Sequence, residues 1–155
     1  MLNRCNAPNM GLWNGIGGHI EVDENPTDCI LREVAEETGM QITTEDLDYH
    51  GWVRWLCASC EEGMHVFTTW IPKSINYQTP RYFSEGILDW KPIYWILDPK
   101  NKGVVSNLPY YLPTILNDPS LYEHIFVYTN DQINQYGRKP LQYRKSILEE
   151  TMICK

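Results

Sequence analysis

The stretch Gly18-His19-Ile20-Glu21-Val22-Asp23-Glu24-Asn25-Pro26-Thr27-Asp28-Cys29-Ile30-Leu31-Arg32-Glu33-Val34-Ala35-Glu36-Glu37-Thr38-Gly39-Met40 decides how this chain is read. It predicts a loop followed by one short helix. Asn25 is placed as the N-cap and Pro26 at the first helical position, where a missing N–H costs nothing. Asp28 adds favourable charge to the first turn, and Gly39 can take the left-handed conformation that closes a helix. Ile30, Leu31, Val34 and Ala35 make an apolar stripe at helical spacing. With that stripe on the core, Glu33, Glu36 and Glu37 fall on the opposite side. Glu33 and Glu37 stand i,i+4 and repel by roughly a few tenths of a kcal/mol. Nothing basic lies in the next turn to offset this. A hard divalent cation would, because Mg²⁺ accepts carboxylate oxygens and shares its sphere with waters and phosphates.

Acidic helix faces are mostly solvated surface, but this one is embedded in a longer pattern. Gly18, Glu24, Arg32, Glu33, Val34, Glu36, Glu37, Gly39 and Met40 fill every fixed position of the Nudix signature: Gly, five residues, Glu, seven residues, Arg-Glu-apolar-x-Glu-Glu-x-Gly-apolar. The chain resembles the Nudix hydrolases, and among them the MutT-like nucleoside triphosphate diphosphatases. The resemblance implies an α/β (α+β) fold with a mixed central sheet sandwiched between helices. It also implies Mg²⁺ or Mn²⁺ as cofactor and cleavage of a diphosphate linked to another moiety by a water nucleophile. By the same resemblance Glu33, Glu36 and Glu37 are metal-binding carboxylates, the Gly18 carbonyl is a further ligand, and Glu24 and Arg32 form a structural ion pair. Clustered carboxylates suit this chemistry: a metal lowers the pKa of water and a spare carboxylate takes the proton.

The preceding run, Gly11-Leu12-Trp13-Asn14-Gly15-Ile16-Gly17-Gly18, is similar to the GxWNGxGG run of MutT-like enzymes that act on oxidised purine nucleotides of the 8-oxo-dGTP type. Asn14 is the first candidate for a base contact, since an amide offers both a donor and an acceptor to a purine edge. A simple turn role for Asn14 stands beside that reading, and Trp13 reads as core. His19 replaces the Lys that many relatives carry. Glu85 sits where several MutT-like members place an additional catalytic carboxylate. Asn107 precedes an expected helix, Leu108 to Leu116, and reads as its N-cap or as a second base contact. The alternatives are another nucleoside diphosphate derivative as substrate, such as a sugar nucleotide or a pterin triphosphate, or a nucleotide-binding module without turnover.

The 155 residues fit one domain, expected over 1–134, with a tail over 135–155 that could turn helical near 146–152. A net charge of −7 with no basic stripe makes duplex nucleic acid an unexpected partner. No apolar run approaches a membrane span, and no signal-peptide pattern opens the chain. Five cysteines, including a lone Cys57-x-x-Cys60, make no disulfide framework or zinc site, and free thiols are expected in a cytoplasmic setting. Strands are expected at Tyr49–Cys57, His65–Ile71, Ile87–Ile93 and Tyr122–Thr129, with a hairpin turn at Glu61-Glu62-Gly63 and a loop over 72–86. Relatives place two strands ahead of the GxWNGxGG run. Here Met1–Cys5 read as the stub of the second, which implies an open sheet edge and fits a start assigned too late, a truncated chain, or a deletion covered by the C-terminal tail or by a second subunit in a homodimer.

Overall fold

The computed structural model of the chain describes residues 1–58 and 61–141. In chain order the elements are β1 (Leu2–Arg4), β2 (Trp13–Asn14), α1 (Pro26–Thr38), β3 (Leu47–Leu56), β4 (Glu61–Thr69), β5 (Arg81–Phe83), β6 (Gly86–Leu88), α2 (Ile93–Ile96), α3 (Leu108–Asn117), β7 (Tyr122–Thr129) and β8 (Gln132–Pro140). The strands form two four-stranded sheets. One is antiparallel in the order β2-β1-β6-β5; the other is mixed, in the order β4-β3-β7-β8, with β3 and β7 parallel. The fold class is therefore the expected mixed α+β arrangement. Among the described residues, no helix is long and apolar enough to cross a membrane.

The core lies between the mixed sheet and the helices. Val53 of β3 and Phe126 of β7 are fully buried and cluster with Leu108, Tyr111 and Ile115 of α3 and with Ile96, Val104 and Val105. Phe126 stacks on Tyr136 of β8 at 4.8 Å between ring centroids. A parallel bridge between Trp13 and Val104 ties β2 to the segment ahead of α3. Trp13 is half-buried against this core, edge-on to Trp95.

α1 begins and ends where its caps place it. The Asn25 side chain accepts the amide protons of Thr27 and Asp28 at 2.9 and 3.0 Å. Gly39 closes the helix at φ 74°, donating its N–H to the Ala35 carbonyl.

Several strand expectations are corrected. Glu61-Glu62-Gly63 is the start of β4 rather than a turn, because both acids are held onto β3: Glu61 pairs with Arg54 at 3.0 Å, and Glu62 accepts from the Trp55 indole at 3.2 Å. The 72–86 loop contains β5, and β6 stops at Leu88 rather than Ile93; Pro92 precedes α2 instead. The strand at 122–129 is followed by β8, which carries regular structure past residue 134 into the expected tail and covers the outer edge of β7. The helix expected near 146–152 lies outside the described residues. Cys5 and Cys29 are free, but Cys57 is disulfide-bonded and exposed, contrary to the expectation of free thiols. Met1–Cys5 does supply a strand: β1 is paired on both sides, by β2 and β6.

Candidate active site

α1 presents its carboxylates to two neighbours, the glycine loop ahead of it and the turn between β5 and β6. Glu33 and Glu37 are buried, at 8% and 6% exposure, and only Glu36 lies open to solvent. The three do not share one outward face. The i,i+4 pair Glu33 and Glu37 turns inward, and Glu36 lies about a quarter turn away. A Cβ on Gly18 would overlap the Glu33 carboxylate, so the loop backbone passes directly over that side chain. This is a packing reason for glycine at position 18.

Arg32 answers the charge problem that the sequence reading left to a cation. Its guanidinium grips Glu24 with two bonds, Nε to Oε1 at 2.8 Å and Nη2 to Oε2 at 3.0 Å. Nη1 reaches Glu33 at 2.7 Å and Glu36 at 3.2 Å, and Nη2 also donates to the His19 carbonyl at 3.1 Å. One planar cation thus bridges the loop and two acids of the helix. No basic residue lies in the last turn, as expected; the compensating charge comes instead from Arg32, earlier on the same helix. The Arg32 side chain holds the Glu24 carboxyl down at about 2. Cys29, buried under this network, has its thiol pushed up to about 12 by burial and by Glu24, and is chemically quiet.

Glu37 stands apart. Neither of its oxygens accepts a hydrogen bond of good geometry, and the Gly17 amide acts on it only weakly. Burial pushes its carboxyl up to about 7, helped by the charges of Glu85 and then Glu33; the Gly17 amide and Arg4 pull the other way without prevailing. Glu85 comes to Glu37 through the β5–β6 turn. Gly86, at φ 150°, lets β6 lie so close to β1 that a Cβ would strike the Asn3 carbonyl, and the Cys5 amide donates to the Glu85 carbonyl at 2.9 Å. Arg4, on β1, has a buried Nε with no partner and acts electrostatically on Glu37. Sequence reading missed Arg4, since an arginine in a three-residue strand carries no pattern of its own.

Among the described residues, no group of three or more His, Cys, Asp or Glu side chains is already arranged around a metal position. Arg32 pairs with Glu33 and Glu36, while Glu37 has no ion pair of its own among these residues.

The two asparagines flank one seam. The Val105 amide donates to the Trp13 carbonyl at 3.0 Å, which sets the segment before α3 against β2. The Asn14 Oδ1 accepts the Gly15 amide at 2.8 Å, so the turn role is real, and its Nδ2 protons and second Oδ1 lone pair remain to offer. Asn107 adopts helical backbone angles and makes no side-chain cap bond, which corrects the capping expectation. His19 is exposed and contributes its carbonyl to Arg32.

Comparison with known proteins fits this geometry. The sequence profile of the NUDIX domain matches residues 1–114. Among solved structures, a mutator MutT protein from Bacillus halodurans shares the fold at a TM-score of 0.65 and 22% identity, over 88% of this chain and 86% of that chain. With the profile spanning the glycine loop, α1, the Glu85 turn and most of α3, the chain belongs to the Nudix family of hydrolases, which act on nucleoside diphosphate derivatives and generally use divalent metal ions.

Proposed function

We propose that the protein is a metal-dependent nucleoside triphosphate diphosphatase that converts an oxidised purine nucleotide of the 8-oxo-dGTP type to its monophosphate and pyrophosphate. The observation that carries the reading is Glu37, a buried carboxylate with no well-formed hydrogen bond, beside Glu33 and Glu85. A buried, unpaired carboxylate is costly unless a cation or a proton meets it. The donor set therefore suits a hard divalent ion.

Glu33, Glu36, Glu37 and the Gly18 carbonyl would hold Mg²⁺ or Mn²⁺. When bound, the metal neutralises phosphate charge and makes a coordinated water more acidic. Glu85, whose charge acts on Glu37, would take the proton of the attacking water, and Arg4, which also acts on Glu37, would meet the phosphate chain. Arg32 holds Glu24 and the loop in register, so that the Gly18 carbonyl keeps its direction. Glu36, exposed at the helix surface, can swing away from Arg32. Asn14 keeps both donor protons and an acceptor lone pair, which suits a purine edge, and Asn107 offers the second amide.

The test is chromatographic product analysis with Mg²⁺ over 8-oxo-dGTP, dGTP, ATP and ADP-ribose, which reads monophosphate and pyrophosphate from the triphosphates and two monophosphates from ADP-ribose. Preferential turnover of 8-oxo-dGTP is expected. Faster turnover of ADP-ribose, with phosphate-terminated products, would overturn the substrate reading. Binding of these nucleotides without turnover of any would overturn the enzymatic one.

A further inference from the structure

Lys91 lies between β6 and α2 and is held unlike an ordinary surface lysine. Its ammonium stands over the face of the Trp13 indole, 4.1 Å from the ring centroid, and 5.6 Å from the centroid of Trp95. Those two rings meet edge-on at 6.5 Å, so the charge sits in the corner between them. The same Nζ donates to Asp89 at 2.7 Å, and the other Asp89 oxygen accepts the Thr79 hydroxyl at 2.6 Å. The Asp89 amide in turn donates to the Met1 carbonyl at 3.0 Å, which continues the β1–β6 ladder. The carboxylate is therefore held at both oxygens and at its backbone, and it holds the lysine. With only 21% of its side chain exposed, Lys91 has exchanged water for an ion pair and a ring face.

What the lysine grips is the anchor of β2. That strand has two residues, Trp13 and Asn14, whose side chains point to opposite faces. Trp13 also holds the strand by its backbone: its amide donates to the Gly103 carbonyl at 2.8 Å, and its carbonyl accepts the Val105 amide at 3.0 Å. Asn14 follows directly, with its Oδ1 on the Gly15 amide at 2.8 Å. The ring, the short strand and the Asn14 amide thus move as one piece. An apolar side chain at position 91 would fill the same corner. A cation adds direction, because it is attracted to the indole face and not to its edge. Such a charge orients more than it stabilises, since a pair withdrawn from water gains little over a well-packed apolar residue.

We propose that Lys91 is a positioning residue for the nucleobase: held by Asp89 on the Trp13 ring, it sets β2 and so the direction of the Asn14 amide. The proposal rests on the reading of Asn14 as a base contact. The contacts that run from Asp89 through Lys91 and Trp13 to Asn14 include none of Glu33, Glu36 and Glu37. The effect of Lys91 therefore falls on binding of the base and not on the chemical step.

Lys91→Met keeps the length of the side chain and removes its charge. It should raise KM for a purine nucleotide about three- to tenfold, with kcat within about twofold of wild type. Lys91→Arg keeps a cation that stacks on an indole and should stay within about twofold in both. Tripolyphosphate, a competitor without a base, should inhibit wild type and Lys91→Met with the same Ki. Asp89→Asn keeps the lysine and loosens its hold, and it carries the same test should Lys91→Met not fold: KM up, Ki for tripolyphosphate unchanged. Asn14→Ala is measured alongside. If it leaves KM unchanged, Asn14 is no base contact and the proposal falls with that reading. If Asn14→Ala raises KM and Lys91→Met does not, the proposal alone is overturned. A Ki for tripolyphosphate that rises with KM, or a Lys91→Arg variant as damaged as Lys91→Met, would mark Lys91 as general scaffold and overturn the proposal too.

Discussion

The unpartnered Glu37 makes a prediction about stability that separates it from its neighbours. A carboxyl carried from its ordinary 4.5 up to about 7 by burial and nearby acids is worth about 3 kcal/mol between its two protonation states. The sign follows from proton counting. Between pH 4.5 and 7 the folded chain binds the proton more tightly than the unfolded chain, so stability falls as pH rises through that window and levels off above it. In EDTA, the wild-type protein should therefore lose about 3 kcal/mol from this group between pH 4 and pH 8, or about 6–12 °C in Tm. Glu37→Gln abolishes that titration. Its stability relative to wild type should rise by about the same amount across the window, measured by urea denaturation at each pH. Adding Mg²⁺ at pH 8 should restore the wild type and leave the variant nearly unmoved, because only the carboxylate gains from the cation. The same substitution should lower kcat by orders of magnitude while far-UV circular dichroism stays native. Parallel pH profiles for the two proteins, or near-normal turnover by the variant, would refute the reasoning.

Other substitutions probe the remaining supports. Gly18→Ala sets a methyl group against the far end of Glu33, which can move aside; the expected stability change is below about 1 kcal/mol, but displacing that carboxylate should cost about 100-fold in kcat/KM. Gly86→Ala meets the Asn3 backbone, which cannot give, at a φ that side chains resist, so thermal melting should show a loss of about 2–4 kcal/mol. Arg32→Lys gives up the two-bonded grip on Glu24 and should cost about 1–3 kcal/mol near pH 7. Because Glu24 is held at about 2, that difference should shrink as pH falls below 4.5 toward 2. Asn107→Ala should leave Tm almost unchanged, since no cap bond exists to lose, while raising KM for a purine nucleotide; a stability loss of about 1 kcal/mol would instead reinstate the cap.

Local rules were readable wherever the chain supplies its own partners. Asn25, Pro26 and Gly39 delimit α1 through bonds that span only a few residues. The Glu24–Arg32 pair spans a loop short enough to be carried by a fixed spacing. β5, β6 and β8 escaped for the opposite reason. The first two have three residues each, too few to show a period, and β8 is an exposed polar strand in which only Ile133 and Tyr136 turn toward the core. Glu61 and Glu62 read as a turn by composition, but cross-strand partners on β3 decide their conformation. Asn107 failed as a cap because its backbone is already helical, which residue type alone does not reveal.

The order of residues from Gly18 to Met40 by itself determined the helix, its caps, the carboxylate set and hence the family, because each of those features is a matter of spacing along one short segment. Only the tertiary structure decided which carboxylates are paired and which is left buried without a partner. Glu33, Glu36 and Glu37 are chemically alike in sequence, yet Arg32 satisfies two of them, and the β5–β6 turn brings Glu85 to the third from far along the chain. Burial and long-range charge are properties of packed neighbours, and these are what leave Glu37, alone of the three, buried without a well-formed hydrogen bond.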